Sequence, residues 1–513
     1  MSSPDDAGWR RLDDRTVLAS AAVALGVCLA GGVPTLAGMR SADSVSFTVA
    51  AVCVLGGSVV LVLLAGVLEW VRLERTRFRV GSQRVEVHTG IVVRTRKGLA
   101  RERVRTVEVT ADPVLRVLGL ATVRIGTGQH ASAGEKPLEL RALRRHDAEA
   151  LRGELLARRA PDGTPADGEG TSAPPDEVLA VLDPGWVRFA PLSVLTPTVG
   201  IAAFGALLQA SDWVGLRGTV LGEVVVLARA LGLLVTVVVA LVAVGVVGSV
   251  GSLVVFTESW WRFRLTRERS TGSLHVRRGL LTTRSTTIEE ERLRGVAVVE
   301  PPGARFLGAA RVDAIATGLS HADQERSDPR GLLPVAPLAV AERVVADALG
   351  ERSSPTAQVA LRAHPRAARG RRIRWATAVC LVPAVALAIP GTLVGSTVLW
   401  GVEGVVAVLG VAAGYRLGVL AYRNLGHGLV GDHVVTRHGA PGRRTVVLRR
   451  DGILTWAVTQ SPFQRRAGLA TLWFTTAAGD GRYGVYDVAA QEATTLAVET
   501  LGDRVTPFLA GVS

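Results

Sequence analysis

Lysine is nearly absent from this chain of 513 residues. Only Lys97 and Lys136 occur, and Asn424 is the single asparagine. The formal net charge of +14 therefore rests almost entirely on arginine. Such a skew fits a coding bias toward arginine, alanine, glycine and valine. A charge of this size also raises anionic lipid and nucleic acid as partners. The basic residues flank apolar spans, so membrane lipids are the expected contact and nucleic acid is not. Cysteine is scarce too. Cys28, Cys53 and Cys380 all lie in apolar segments, with neither disulfide nor metal-ligand spacing.

The motifs of catalysis are missing as well. The nine histidines, His88, His130, His146, His275, His321, His364, His427, His433 and His438, are scattered and form no HExxH pattern. The tightest group, His427, His433 and His438, cannot put three ligands on one helix, and surface or loop positions are expected. No Walker-type or dinucleotide-binding pattern occurs. A Ser–His–Asp site is a spatial constellation that residue presence cannot establish. Glu289, Glu290 and Glu291 are consecutive, so their carboxylates diverge and make a solvated face rather than a catalytic pair. No catalytic, cofactor-binding or metal residue is assigned, no cofactor is expected, and the chain is not expected to be an enzyme.

Apolar runs are abundant. A mean hydropathy of +0.31 and 48% hydrophobic residues are high for a soluble protein, and the length calls for several domains. The runs come in pairs, at about 17–38 and 44–71, 187–208 and 230–256, and 375–396 and 398–420. Each pair predicts a transmembrane helical hairpin. Pro383 and Pro390 are expected to kink the fifth run. Gly410, Gly414 and Gly418 repeat at four-residue spacing and can form a close helix contact. Glu223, Arg229 and Glu403 lie near span ends. Arginines crowd the outer ends of the pairs, among them Arg10, Arg11, Arg15, Arg72, Arg75, Arg77, Arg416 and Arg423, while the first connecting turn carries only Arg40 and Asp43. The positive-inside rule then places both termini and everything between the hairpins in the cytoplasm.

Between the apolar pairs a frame recurs three times. Gly90, Pro113 and Gly119 have the spacing of Gly279, Pro302 and Gly308, and again of Gly439, Pro462 and Gly468. Arg116, Arg305 and Arg465 each follow the proline by three positions, and Ala121, Ala310 and Ala470 follow the final glycine by two. Three copies with unchanged internal spacing are a repeated module. In the first copy, Phe78–Val80, Val85–Val87, Gly90–Arg94, Val104–Val109 and Ala121–Ile125 predict short strands, and Leu143–Arg159 a closing helix. In the second, the closing helix is predicted at Val335–Leu349. Val434–Arg437, Thr445–Leu448, Ile453–Val458, Thr471–Thr475, Tyr483–Val488 and a helix over Gln491–Leu509 continue the plan in the third. Val114, Leu115, Val117 and Leu118, and in the second copy Phe306 and Leu307, are expected to anchor the proline turn in the core. The glycine after it is expected at positive φ. Each turn arginine can support its own turn by bonding carbonyls or a carboxylate, or can meet a phosphate.

The expected division is a tail and first hairpin over 1–72, a module over 73–160, a flexible linker over 161–185 and a second hairpin over 186–260. A module over 261–350, a basic connector over 351–374, a third hairpin over 375–424 and a module over 425–513 follow. The aromatic, basic exits from the apolar runs and the Pro-x-x-Arg-x-x-Gly turns resemble those of bacterial membrane-flanked proteins with pleckstrin-homology-like domains, of the YdbT type. The third copy departs most, with Ala467 in place of Leu118 and Leu307, and Gly452 in place of Arg103 and Arg292. The resemblance implies a multi-domain α+β membrane protein. In it three transmembrane hairpins alternate with three pleckstrin-homology-like sandwich or barrel modules, each closed by a C-terminal helix. It does not assign a ligand. The expected function is a non-enzymatic membrane-anchored scaffold that binds envelope proteins, peptides or lipid headgroups and is open to self-association. A transport or export accessory built on the helical bundle is the alternative, disfavoured by the few intramembrane charges.

Overall fold

The computed structural model describes residues 9–41, 47–81, 84–89, 95–100, 106–126, 138–156, 176–193, 195–213, 232–269, 272–317, 330–395 and 397–502, and single positions between 218 and 230. The chain forms two compact units, Met1–Glu289 and Glu290–Ser513.

The first unit opens with a two-residue strand, β1 (Arg10–Arg11), followed by two long packed helices, α1 (Thr16–Ser41) and α2 (Phe47–Glu74). The chain then returns to pair with β1. Strands β2 (Arg77–Val80), β3 (Arg84–Thr89) and β4 (Thr95–Ala100) complete a sheet in the order β1-β2-β3-β4. Alternation decides which face is inside: in β3, Val85 and Val87 are buried while Arg84 is exposed. Strands β5 (Thr106–Ala111), β6 (Leu120–Gly126) and β7 (Leu138–Arg144) supply the facing side, and α4 (Arg145–Leu156) closes the core, with a one-turn helix α3 (Pro113–Val117) between β5 and β6. Phe78, Val85 and Val87 meet Val107, Val123, Ile125, Leu140 and Leu151 there.

The sheet carrying β5–β7 does not end with the first module. It continues through β11 (Thr283–Glu289), β10 (Ser273–Arg278), β9 (Arg264–Glu268) and β8 (Glu177–Val181), seven strands in the order β7-β6-β5-β11-β10-β9-β8. Between β8 and β9 lie a 3-10 stretch, Pro184–Leu192, and two helices, α5 (Leu195–Trp213) and α6 (Leu233–Trp260).

The second unit repeats this arrangement. Strands β12 (Leu293–Glu300), β13 (Ala309–Ala316) and β14 (Gly331–Pro337) join β15 (Gly426–Val430), β16 (His433–His438) and β17 (Arg443–Arg449) in the order β14-β13-β12-β17-β16-β15. Helix α7 (Pro302–Phe306) forms the proline turn, α8 (Leu338–Leu349) packs on β12–β14, and α9 (Pro355–Gln358) follows. The long helices α10 (Arg366–Val394) and α11 (Thr397–Arg423) pack on each other before β15. A three-stranded sheet, β18 (Thr455–Thr459), β19 (Leu469–Thr475) and β20 (Arg482–Ala489), carries the turn helix α12 (Pro462–Arg466) and the closing helix α13 (Ala490–Leu501). Val434, Val446 and Leu448 pack on Leu472, Phe474, Val485 and Leu496 in its core.

Four helical segments are long and apolar enough to cross a membrane: Ala51–Glu74, Val235–Trp260, Arg366–Leu393 and Leu399–Arg423. A fifth is added if Pro184–Leu192 and Leu195–Ser211, bent by 67°, make one span, while Thr16–Gly32 is a shorter apolar piece. These helices leave Val27, Leu55, Leu63, Leu241 and Val408 exposed. A protein in water would not tolerate that area of apolar surface. Gly410, Gly414 and Gly418 do mark a close contact. A Cβ at Gly414 would lie 2.4 Å from the Thr377 Cα, and one at Gly418 2.4 Å from the Ile373 Cα. Only hydrogen fits between α10 and α11 there. The helix α10 runs unbroken through Pro383 and Pro390.

Several sequence expectations are corrected. The sheets are open and not closed into barrels, and two of them combine strands of successive modules. Strands β7 and β14 occupy Leu138–Arg144 and Gly331–Pro337, so the closing helices begin later than the periodicity indicated. The linker ends in a strand, β8, and the first member of the second apolar pair is broken near Ser193, just after Pro191, which has no N–H to continue a helix. Gly90–Arg94 lies outside the described residues.

Two glycines test this reading of the backbone. Gly119 has φ +71° and open space around a Cβ, so only the backbone conformation opposes a side chain. Gly295, in β12, would put a Cβ 2.1 Å from the Val447 carbonyl of β17. We expect Gly119→Ala to cost roughly 1–2 kcal/mol, and Gly295→Ala to reach or exceed the top of the roughly 1–3 kcal/mol overpacking range. Thermal unfolding in detergent ranks them, and the reverse order would refute the close strand approach at Gly295.

Candidate functional site

The three proline turns are built alike. Asp112, Pro301 and Ser461 precede helices of one turn, and Gly119, Gly308 and Gly468 return the chain at φ +71°, +63° and +65°. The expected positive φ is present at all three. The arginines do not serve their own turns. Arg116 Nη1 donates to the Leu280 carbonyl, in the turn that precedes β11. Arg305 Nη1 donates to the Pro441 carbonyl at 3.4 Å, in the turn that precedes β17, and its Nη2 to Asn424 Oδ1 at 2.9 Å. Each thus reaches into the following module. Burial, with Arg443 nearby, lowers the Arg305 pKa. Arg465 is exposed and has no such acceptor among the described residues.

Val114, Leu115 and Leu118 are half-buried, but the tips of the turns point away from the core, against expectation. Val117 and Phe306 are each 88% exposed, and Leu307 and Phe463 are exposed as well. All three turns stand at helix ends. Arg15, just before α1, donates to the Leu118 carbonyl at 3.3 Å. Asn424, just after α11, receives Arg305. Ala467 and Leu469 pack with Tyr422, Leu425 and Ala368 at the ends of α10 and α11.

Beside the end of α6 a cleft of about 650 Å³ is lined by Arg116, Arg262, Arg264, Arg277, Trp261 and Leu280, among others. Arg264 and Arg277 are direct cross-strand partners and both are exposed. Like charges in that relation repel. Arg262 adjoins them at φ +53°, a conformation that positions its backbone at the cost of strain. The turn after Gly279, which borders the cleft, is held in place. Glu258 accepts from the Leu281 and Thr282 amides at 2.9 Å each, and the Arg278 guanidinium stacks on Trp260 at 4.1 Å. In register, the pair corresponds to Arg77 with His88 in the first module and Gly426 with Arg437 in the third. The opposed arginine pair belongs to the middle module.

The third module holds a buried polar cluster that the sequence did not disclose. Asp487, fully buried at φ +55°, accepts from Arg371 Nη1 and Arg372 Nε at 2.6 Å each and from Gln464 Nε2 at 2.8 Å. His364 lies 3.3 Å from the Asp487 carbonyl and 3.1 Å from His427 Nδ1. His427 Nε2 lies 3.3 Å from Glu492, an ion-pair distance without hydrogen-bond geometry. His364, His427 and His433 are core residues, not the loop residues their scatter suggested. Sixty-three positions separate His364 from His427, and no local pattern links them. Glu289 ends β11, and Glu290 and Glu291 begin a single 3-10 turn, Glu290–Arg292.

Among the described residues no group of His, Cys, Asp and Glu is arranged to hold a metal. The pattern of the bacterial PH domain matches residues 21–159, 219–352 and 377–500. The chain belongs to the bacterial PH domain family, and carries three copies of its domain. Domains of this family are non-catalytic scaffold modules, and the architecture is that of an interaction protein rather than an enzyme. No curated protein and no solved structure matches the chain.

The buried histidines set a pH limit. Burial first, then neighbouring positive charge or the facing histidine, pushes His364, His427 and His438 down to about 4 from 6.5. In the unfolded chain they take up protons below pH 6.5, and in the folded protein only near 4. Their stabilising effect is therefore full above the unfolded value and is lost as pH falls from 6.5 toward 4. We expect the protease resistance of the third module to decline over that window, with His427→Gln flattening the decline. A flat profile in the parent protein would refute it.

Proposed function

We propose that this protein is a multi-pass membrane scaffold whose three hairpins hold three PH-like modules against the cytoplasmic face, where the middle module binds an anionic lipid headgroup. The observation that carries the reading is the footing of the hairpins. β1 and β2, flanking α1 and α2, are paired with each other. β8 and β9, flanking α5 and α6, are paired as well. Arg362, before α10, bridges to His427 of β15, after α11. Each helical pair therefore leaves and re-enters the same sheet, so both of its feet lie on one side of the bilayer. The arginine excess at those feet supports the cytoplasm as that side.

The division we favour has hairpins at 1–72, 186–260 and 375–424 and modules at 73–160, 261–350 and 425–513. The connecting segments 161–185 and 351–374 lend β8 and Arg362 to the sheets that follow. The turns and aromatic exits support placement in the YdbT type. The lipid reading is supported by the cleft. Arg262, Arg264 and Arg277 converge beside Trp260 and Trp261, where a tryptophan pair marks the headgroup level. A phosphate between the opposed guanidinium groups would relieve their repulsion and offer directional acceptors. The exposed Val117, Phe306 and Phe463 tips suit the same interface.

Two measurements test this. Impermeant labelling of intact cells should modify an introduced cysteine near residue 42 and spare ones near 130, 320 and 480. Labelling at any of the latter three would overturn the topology. Purified from membranes containing phosphatidylglycerol, the protein should retain that lipid, and Arg264→Gln with Arg277→Gln should lower the retained amount several-fold. Equal retention would move the headgroup elsewhere and leave the topology standing.

A further inference from the structure

The joints between modules are alike in register. In the first, Thr106 of β5 faces Ile288 of β11, and the pairs run on through Val107 with Thr287, Glu108 with Thr286 and Val109 with Ser285. In the second, Gly295 of β12 faces Leu448 of β17, followed by Val296 with Val447, Ala297 with Val446 and Val298 with Thr445. Thr106 stands seven positions before Pro113 and Gly295 seven before Pro302, while Ile288 and Leu448 each stand nine after Gly279 and Gly439. The same relation has thus formed twice.

The repeat contains a third pair of such strands, one at the edge of a sheet in each unit. β18 holds the place of β5 and β12, and begins its sheet with β19 as its single neighbour in the order β18-β19-β20. β4 holds the place of β11 and β17, and ends its sheet beside β3. β18 reads TWAVT, without charge, and Thr455, Ala457 and Thr459 are exposed along it. An uncharged, unpaired edge of five residues is a template for another strand. The turn arginine is a second, independent sign. Arg116 and Arg305 each reach a carbonyl of the module that joins theirs, whereas Arg465 is exposed without one among the described residues.

We propose that β18 of one copy of this chain pairs with β4 of a second copy, making the third joint between molecules. The register carries over from the other two: Thr455 faces Leu99, Trp456 faces Gly98, Ala457 faces Lys97, Val458 faces Arg96 and Thr459 faces Thr95. The contact is head-to-tail, so each copy offers one edge of each kind and copies add in a ring or a row within the membrane plane. Arg465 then occupies the position from which Arg116 and Arg305 secure the other joints. This inference stands apart from the lipid reading.

The test uses the full chain in membranes, with Cys28→Ala, Cys53→Ala and Cys380→Ala as the parent. One tagged copy carries Ala457→Cys and a differently tagged copy carries Lys97→Cys. Mild oxidation should give a disulfide-linked species bearing both tags. Moving the second cysteine to Arg96→Cys should lower its yield several-fold, because a one-residue slip turns the side chain to the other face. Arg465→Ala in the first copy should lower it as well. Matching thermal transitions of all variants would confirm that each is folded. The proposal is overturned by absence of the two-tag species, by equal yields from the two cysteine positions, or by a disulfide that forms solely within one chain when it carries both cysteines.

Discussion

A β-strand with one neighbour leaves half its backbone N–H and C=O groups unpaired, and the arrangement of this chain follows from that constraint. A PH-like module made of two small sheets has several such edges. Here the second sheet of one module is completed by the first sheet of the next, at β5 with β11 and at β12 with β17. Non-local hydrogen bonds, not linker length, fix the spacing of neighbouring modules. The second joint is locked further by a fork-to-fork ion pair, in which Arg443 donates to both oxygens of Glu300 at 2.5 and 2.8 Å. Glu300 is almost fully buried, so its charge needs that partner.

The same economy governs the helices. Because short strands at both feet of a hairpin pair with each other, the sheet acts as a base plate that fixes the helix ends. The interior of the hairpin is then free to pack on glycine, as α10 and α11 do along Gly410, Gly414 and Gly418. Their outer surfaces keep valine and leucine exposed, which suits hydrocarbon and opposes water.

The third module solves a different problem. Arg371 and Arg372 lie in the first turns of α10, where a long apolar helix meets a soluble domain. Asp487 is buried beneath them and satisfied by both guanidinium groups and Gln464. Gln464 itself closes a capping box with Ser461 in the proline turn, so helix, turn and sheet share one network. Removing both arginines would leave the Asp487 charge buried with Gln464 alone.

Periodicity and spacing alone determined the repeat, the apolar runs and the proline turns with their glycines at positive φ. These are local properties, set by side-chain alternation, by the fixed φ of proline and by the missing Cβ of glycine. The sharing of sheets between modules was decided by tertiary structure, because a strand such as Thr283–Glu289 reads the same whichever neighbour it meets. The two-residue strand Arg10–Arg11 has no pattern to detect, yet it ties the first hairpin to its base. Arg116 and Arg305 were visible as repeated residues, but their acceptors at Leu280 and Pro441 lie 164 and 136 positions away. Asp487, His364 and His427 are ordinary residues in sequence and become a core only when strands and helix ends from distant segments exclude water around them. Long-range backbone pairing and burial carry that information, and neither is written in any local window of the chain.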